Sequence, residues 1–300
     1  MIQAQAERWS FLHEVLPIER NPVVVDVGAN PLEDPAYKPL MTQGLCDVVG
    51  FEPQESAYQE LLKIKGDNET YFPLALGNGT EAELNIYSGS GLSSVLSLSE
   101  KTRAFLGRSK RAAKRLDSVK MRTSRLDDIE EITNLDLLKI DVQGAEVDIF
   151  ENGREKLRDA VMIISEVRFY ELYEGEHLFD EQIRVLRSMG FSIHKFMSLK
   201  SNPIHNSHIG YLRKRRFGSQ LLDGDCVFLM NLRDVEAVSN EQLCCAAILA
   251  DAVVESFDVT LKCLEALRKR NSLDASVLDK YVDMLPNRVK ADPLKKLNHS

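Results

Sequence analysis

The chain has 300 residues, 44% of them hydrophobic, and a formal charge of -8, which suits a globular protein with a sizeable core and excludes wholesale disorder. The acidic balance argues against a protein whose main task is wrapping nucleic acid, so a small-molecule partner is expected. Met1 to Trp9 lacks a continuous apolar stretch, and nowhere does the chain approach the roughly 20 uninterrupted apolar residues of a membrane span. A cytoplasmic protein with no membrane span is therefore expected, and the five cysteines, which show no CxxC or Cys/His spacing, read as buried reduced thiols.

Residues 5 to 16 place Ala6, Trp9, Leu12, Val15 and Leu16 at helical spacing before Pro17. The first strand is Val23 to Asp26. Asp34-Pro35 looks like the cap and first position of a helix running to Gly44. Cys46 to Glu52 reads as a second strand. Glu55 to Lys65 reads as a helix with Tyr58, Leu61 and Leu62 on one face, and Thr70 to Leu76 as a third strand. Glu83 to Tyr87 alternates as an added hairpin strand, and the Ser88 to Ser94 turn is a candidate active-site wall. Val119 to Thr123 is a short strand before a helical turn at Ser124 to Ile129.

The fourth core strand is Leu135 to Asp141, with a helix beginning near Ala145, and the fifth is Val161 to Val167. Phe179 to Met189 is an amphipathic helix stopped by Gly190 and leading into a strand at Phe191 to Phe196. The polar stretch Ser198 to Gln220 reads as a long substrate-side insertion before a last strand, Cys226 to Met230. Apolar stripes at Leu243/Ala247/Ile248, Leu261/Leu264/Leu267 and Leu278/Tyr281/Leu285 mark three helices, with Asp258 as a cap. The domain reading is a helix over 1–20, a cofactor-binding domain over 21–232 and a helical appendage over 233–300.

The run Val23-Val24-Val25-Asp26-Val27-Gly28-Ala29-Asn30 delivers an acid and a glycine to the end of a buried strand, and Val48 to Pro53 repeats the pattern with Glu52. A dinucleotide turn needs two further glycines, but Asn30 and Glu33 stand in their places, and Glu33 would set negative charge where a pyrophosphate sits. No P-loop is present either. S-adenosylmethionine carries a sulfonium and an ammonium and no phosphate, so a pocket of acids suits it. Asp26 is placed to order the turn and face the aminoacyl end, and Glu52 to accept both ribose hydroxyls. Capping of the following helix is the plain alternative for each acid.

The sequence resembles the FkbM family of S-adenosylmethionine-dependent methyltransferases through Val-Asp-Val-Gly-Ala-Asn (25–30), Gly-Phe-Glu-Pro (50–53), Arg-Leu-Asp-Asp-Ile (125–129) and Leu-Lys-Ile-Asp-Val-Gln-Gly-Ala-Glu (138–146). These motifs come in the family's order over roughly residues 20 to 195. The resemblance implies an α/β class I methyltransferase, a Rossmann-like, seven-stranded, mostly parallel sheet with Cys226 to Met230 inserted antiparallel beside the fifth strand. The helices after Ser239 lie outside the family core. The chain departs from the pattern at Asn30-Pro31-Leu32-Glu33-Asp34, where most members carry another glycine.

The cofactor-binding residues expected are Asp26, Gly28, Asn30, Glu52, Pro53, Asp141 and Gln143. The catalytic candidates are Asp141, nearest the methyl and a possible base, Glu146, and Glu166 as second base; a salt bridge to Arg168 is the plain reading of Glu166. Arg168, Tyr170 and Tyr173 could face a substrate. No histidine pair has metal-ligand spacing, so no catalytic metal is expected. The basic runs Arg108 to Arg115 and Arg213 to Arg216 are either solvated faces or anchors for an anionic acceptor. An O-methyltransferase acting on a hydroxyl of a sugar, glycan or secondary metabolite is the leading expectation. A methyltransferase fold that lost turnover and docks a partner through its C-terminal helices is the alternative.

Overall fold

The computed structural model describes residues 2–31, 34–107, 111, 113–213 and 218–291. In chain order the elements are α1 (Ile2–Val15), β1 (Val23–Val27), α2 (Lys38–Thr42), β2 (Asp47–Phe51), α3 (Glu55–Ile64), β3 (Glu69–Phe72), β4 (Glu81–Tyr87), α4 (Glu100–Phe105), β5 (Arg115–Arg122), β6 (Leu137–Ile140) and α5 (Glu146–Glu151). There follow α6 (Arg154–Leu157), β7 (Met162–Arg168), α7 (Phe179–Ser188), β8 (Phe191–Asn202), β9 (Gln220–Met230), α8 (Asn240–Ala252), α9 (Phe257–Lys269) and α10 (Ser276–Met284). Residue contacts group them into two compact units, one of Val23–Asp34 and Asp47–Arg233, the other of Met1–Pro22, Pro35–Cys46 and Asp234–Ser300.

The larger unit carries a seven-stranded sheet in the order β3-β2-β1-β6-β7-β9-β8. β1 runs parallel to both β2 and β6, so the strand order reverses between β1 and β6 and opens a crevice at their C-terminal ends. The β-branched run of β1 is buried on both faces, as a central parallel strand requires, and every residue of β7 is buried too. β9 is antiparallel to β7 on one side and to β8 on the other, the inserted strand that the sequence led us to expect. Tyr58, Leu61 and Leu62 of α3 pack with Ala29 and Tyr71, which holds the first turn of the crevice against the sheet. β4 and β5 form a separate two-stranded sheet.

Three expectations are corrected here. The Ser198 to Gln220 insertion is smaller than its composition suggests, because β8 and β9 continue as a hairpin with Lys200 opposite Asp223 and Asn202 opposite Gln220. The polar residues of this hairpin lie along an exposed edge strand with few buried positions, which imitates a loop in composition. α2 begins at Lys38 with Tyr37 as its cap instead of at Asp34-Pro35. Asp258 lies in the first turn of α9, where it complements the helix dipole, and Ser256 takes the cap position.

In the other unit α1 packs on α8 and α10. α8 has no exposed stripe: Leu243 through Ala252 are all buried, because small Cys and Ala residues let neighbours approach from every side. A buried carboxylate sits in this core. Asp251 accepts from Arg8 Nε and Nη2 at 2.7 and 2.8 Å, from Trp9 Nε1 at 2.8 Å and from Tyr281 Oη at 2.6 Å. All five cysteines are buried, and none forms a disulfide. Among the described residues no helix is long and apolar enough to cross a membrane.

Candidate active site

The turn after β1 is built from backbone. Gly28 has φ +82°, and a Cβ there would stand 2.2 Å from the Asp141 carbonyl oxygen, so the ends of β1 and β6 touch where only glycine fits. The N–H groups of Gly28 and Ala29 both donate to Phe51 O at 3.0 Å, tying the turn to the end of β2. Asn30 and Asp34 are exposed, and Leu32 and Glu33 of the departing loop lie outside the described residues. Pro53 is half-buried beside Glu52.

Asp26 and Glu52 come together on one side of the crevice. Lys139, opposite Asp26 in the strand register, places its ammonium 3.2 Å from the Asp26 carboxylate. Burial opposes the Lys139 charge, but Asp26 and Asp141 more than offset it and push the ammonium up to about 12. Glu52 accepts from the Gln54 N–H at 2.7 Å. Burial pushes its carboxyl up to about 7, with Asp26 adding to the effect while the Gln54 N–H and Lys139 resist it.

On the other side, at the ends of β6 and β7, Gln143 is a hub. Its Nε2 donates to Asp141 Oδ1 at 2.6 Å and to Glu166 Oε2 at 2.8 Å, while its Oε1 accepts from Arg168 Nη2 at 2.5 Å and from Tyr173 Oη at 3.0 Å. Its backbone stands at φ +60°, a conformation that side chains rarely adopt. Burial works to raise the Asp141 carboxyl, yet Lys139 and the Gln143 amide hold it below the ordinary range. Glu166 is raised well above that range by burial and by the neighbouring Asp141 charge. The two carboxyls are thus pushed apart in acidity, as acids at catalytic sites often are.

Glu146 turns back on the chain: its carboxylate accepts from the Val142 N–H at 3.1 Å and the Gly144 N–H at 3.1 and 3.2 Å, which pins the turn carrying Gln143. Burial raises its pKa. Asp141, Glu146 and Glu166 each present an oxygen within 4.8 Å of the others, close enough to hold a cation. N–H donors already engage all three, and the Gln143 amide points between Asp141 and Glu166.

Arg168 is buried, and its guanidinium reaches Glu166 at 2.7 Å, Asp223 at 3.1 Å and Glu176 at 3.6 Å. The salt bridge to Glu166 is therefore present alongside the Gln143 contact. Glu176 and Asp223 were missed by sequence reasoning. Asp223 had a signal, since antiparallel pairing of β7 and β9 puts it directly opposite Arg168. Glu176 had none, because it lies in an irregular segment and its Oε1 accepts from the Leu172 and Tyr173 N–H groups. Lys139 was hidden inside a recognised motif. Tyr170 stacks on Phe105 with ring centroids 5.6 Å apart. In the basic runs, Arg108, Lys110 and Lys214 to Arg216 lie outside the described residues, and Arg115 pairs with Glu83.

Five acids, Asp141, Glu146, Glu166, Glu176 and Asp223, gather around the guanidinium of Arg168, and among the described residues no phosphate cradle accompanies them. The crevice at the switch point fits a phosphate-free cation such as the sulfonium of S-adenosylmethionine. With the strand order and the antiparallel β9, it defines a class I S-adenosylmethionine-dependent methyltransferase. The chain belongs to the FkbM methyltransferase domain family, which matches residues 26–193. It is 30% identical over 165 residues to the 2-O-methyltransferase NoeI of Sinorhizobium fredii (strain NBRC 101917 / NGR234), covering 52% of this chain and 67% of that protein. Among solved structures it is similar to the magnesium protoporphyrin IX methyltransferase ChlM of Synechocystis PCC 6803 (TM-score 0.36, 11% identity, 77% of this chain and 79% of that one). It is also similar to an S-adenosylmethionine-dependent methyltransferase of Mesorhizobium loti (TM-score 0.36, 10% identity, 76% and 100%).

Proposed function

We propose that this methyltransferase acts on a hydroxyl group of a sugar, glycan or secondary metabolite, forming a methyl ether. The observation that carries the reading is the pair of Asp141 and Glu166 bridged by the Gln143 amide at the ends of β6 and β7, with the Asp141 carboxyl held below its ordinary range by Lys139 and that amide. A hydroxyl, unlike an amine, must lose its proton as the new bond forms, and a positioned carboxylate is the group that takes it. The 2-O-methyltransferase among the relatives supports transfer to an oxygen.

Bound S-adenosylmethionine supplies an electrophilic methyl on a positively charged sulfur. Glu52 accepts the ribose hydroxyls, while Gly28, Asn30 and Pro53 line the cofactor's path along the strand ends. Asp141 would face the sulfonium and take the proton of the acceptor hydroxyl. Arg168 holds Glu166 beside it, Gln143 sets their spacing, and Glu146 fixes the turn beneath them. Lys114 and Arg213, from the two basic runs, would meet an anionic acceptor. A cytoplasmic site of action is part of the proposal, in keeping with five buried cysteines that are not joined in disulfides.

The test is methyl transfer from methyl-labelled S-adenosylmethionine to a panel of free sugars, oligosaccharides, phenols, amines and carboxylic acids. Label in the hydroxyl compounds is expected; label confined to amines or carboxylic acids would overturn the reading.

A further inference from the structure

Gln143 uses every hydrogen-bonding position it has. Both Nε2 protons go to carboxylates, Asp141 and Glu166, and both lone pairs of Oε1 receive donors, Arg168 and Tyr173. Turning the carboxamide over would set its oxygen against two carboxylates and its NH2 against a guanidinium, so the orientation is fixed by charge. Tyr173 is different. Its hydroxyl lies 3.0 Å from Gln143 Oε1 and also 3.0 Å from the carbonyl oxygen of Leu92, and a phenol has one proton for these two acceptors.

The segment containing Leu92 is fastened to the same place. Ser94 Oγ donates to the Gln143 carbonyl at 2.7 Å, the Glu174 N–H to Ser97 O at 2.8 Å and the Ser99 N–H to Leu172 O at 2.9 Å, while Leu98 bridges to Tyr173 itself. The Tyr173 ring is wholly buried and lies 5.7 Å from the Arg168 guanidinium, so the hydroxyl has no solvent to turn to.

We propose that Tyr173 is a positioning residue for methyl transfer: its one hydroxyl proton, divided between Leu92 O and Gln143 Oε1, couples the 88–98 segment to the carboxamide that spaces Asp141 and Glu166. When the segment's carbonyl draws the proton, Gln143 is held by Arg168 alone. When the proton turns to Gln143, the carboxamide is clamped from two sides. This rests on the reading that Asp141 and Glu166 face the sulfonium.

The test needs no acceptor. S-adenosylmethionine and S-adenosylhomocysteine differ by one methyl and the charge on sulfur, so the ratio of their affinities reports on the carboxylates facing that charge. Calorimetry on Tyr173→Phe, which keeps the ring, should show that ratio lowered about two- to ten-fold, the range of one neutral hydrogen bond, with S-adenosylhomocysteine affinity unchanged. In a Gln143→Ala background the same substitution should change nothing further. An unchanged ratio in Tyr173→Phe, or an equal loss in both backgrounds, overturns the proposal. If Asp141→Asn also leaves the ratio unchanged, the underlying reading fails; if Asp141→Asn lowers it and Tyr173→Phe does not, only the role of Tyr173 fails. Nitrogen-15 side-chain NMR of the unsubstituted protein, assigned with Gln143→Ala, reads the same clamp without destabilising it. Two slowly exchanging, inequivalent carboxamide protons are expected at Gln143, and fast exchange there overturns the proposal.

Discussion

Glu52 offers the sharpest handle on cofactor binding, because burial places its carboxyl near 7 and the role proposed for it, accepting the ribose diol, calls for its ionised form. In the free protein the folded chain holds a proton on Glu52 that the unfolded chain has released. The stability this group contributes is therefore complete below its ordinary 4.5 and is lost as pH rises through about 7. Ligand binding runs the other way. If only the carboxylate accepts the two hydroxyls, S-adenosylhomocysteine affinity should fall roughly ten-fold between pH 8 and pH 6, one decade per unit once the carboxyl is protonated. Glu52→Gln should lose about 1.5–3 kcal/mol of binding at pH 8, the worth of hydrogen bonds to a charged acceptor. It should also flatten the pH profile. Calorimetry of both proteins at pH 6, 7 and 8 measures both effects. A flat profile in the unsubstituted protein, or an equal slope in Glu52→Gln, would refute the assignment.

The other predictions concern the scaffold. Gly28→Ala must move the Asp141 backbone away from a Cβ that would otherwise lie at 2.2 Å, so it should cost about 1–3 kcal/mol in backbone strain alone and abolish S-adenosylhomocysteine binding; retained binding by calorimetry would contradict the contact. Arg168→Met leaves Glu166, Glu176 and Asp223 buried around an apolar side chain and should cost about 3–5 kcal/mol in urea denaturation. A loss under about 1 kcal/mol would show that these acids are not charged against it. Asp251→Ala strips the partners of Arg8, Trp9 and Tyr281 and should cost a similar amount, about 3–5 kcal/mol. Trp9 is the only tryptophan, so its emission should shift to the red, and an unshifted spectrum would refute a role for this cluster.

The central strands were legible because a buried parallel strand has little freedom in composition: Val23 to Val27 and Met162 to Val167 are nearly all apolar, and the acids that interrupt such runs mark their ends. The acids' partners were less legible. Asp26 meets Lys139 and Arg168 meets Asp223 across strand registers, and register follows from the sheet order, which motif spacing does not contain. The β8–β9 hairpin was misread because an exposed edge strand such as Phe191–Asn202 has few buried positions to impose alternation. The stripe read into α8 understated its burial for the opposite reason. A helix buried on all sides needs no polar face, so its stripe could not reveal that Asp251 is interior, although Cys244 and Cys245 were expected to be buried. Gln143 was named from its motif, and Asp141 beside it shares that motif, but Glu166 and Arg168 on β7 and Tyr173 beyond it reach the carboxamide only through folding.

The most direct test of the account is transfer of labelled methyl from S-adenosylmethionine into a glycan and metabolite extract by the unsubstituted protein and by Asp141→Asn. The prediction is a product whose label resists mild alkali, as a methyl ether does and a methyl ester does not. Asp141→Asn should lose about 100-fold or more in rate, the usual share of a positioned base, while still binding S-adenosylhomocysteine. An alkali-labile product, or an Asp141→Asn protein that methylates hydroxyls at the original rate, would contradict it.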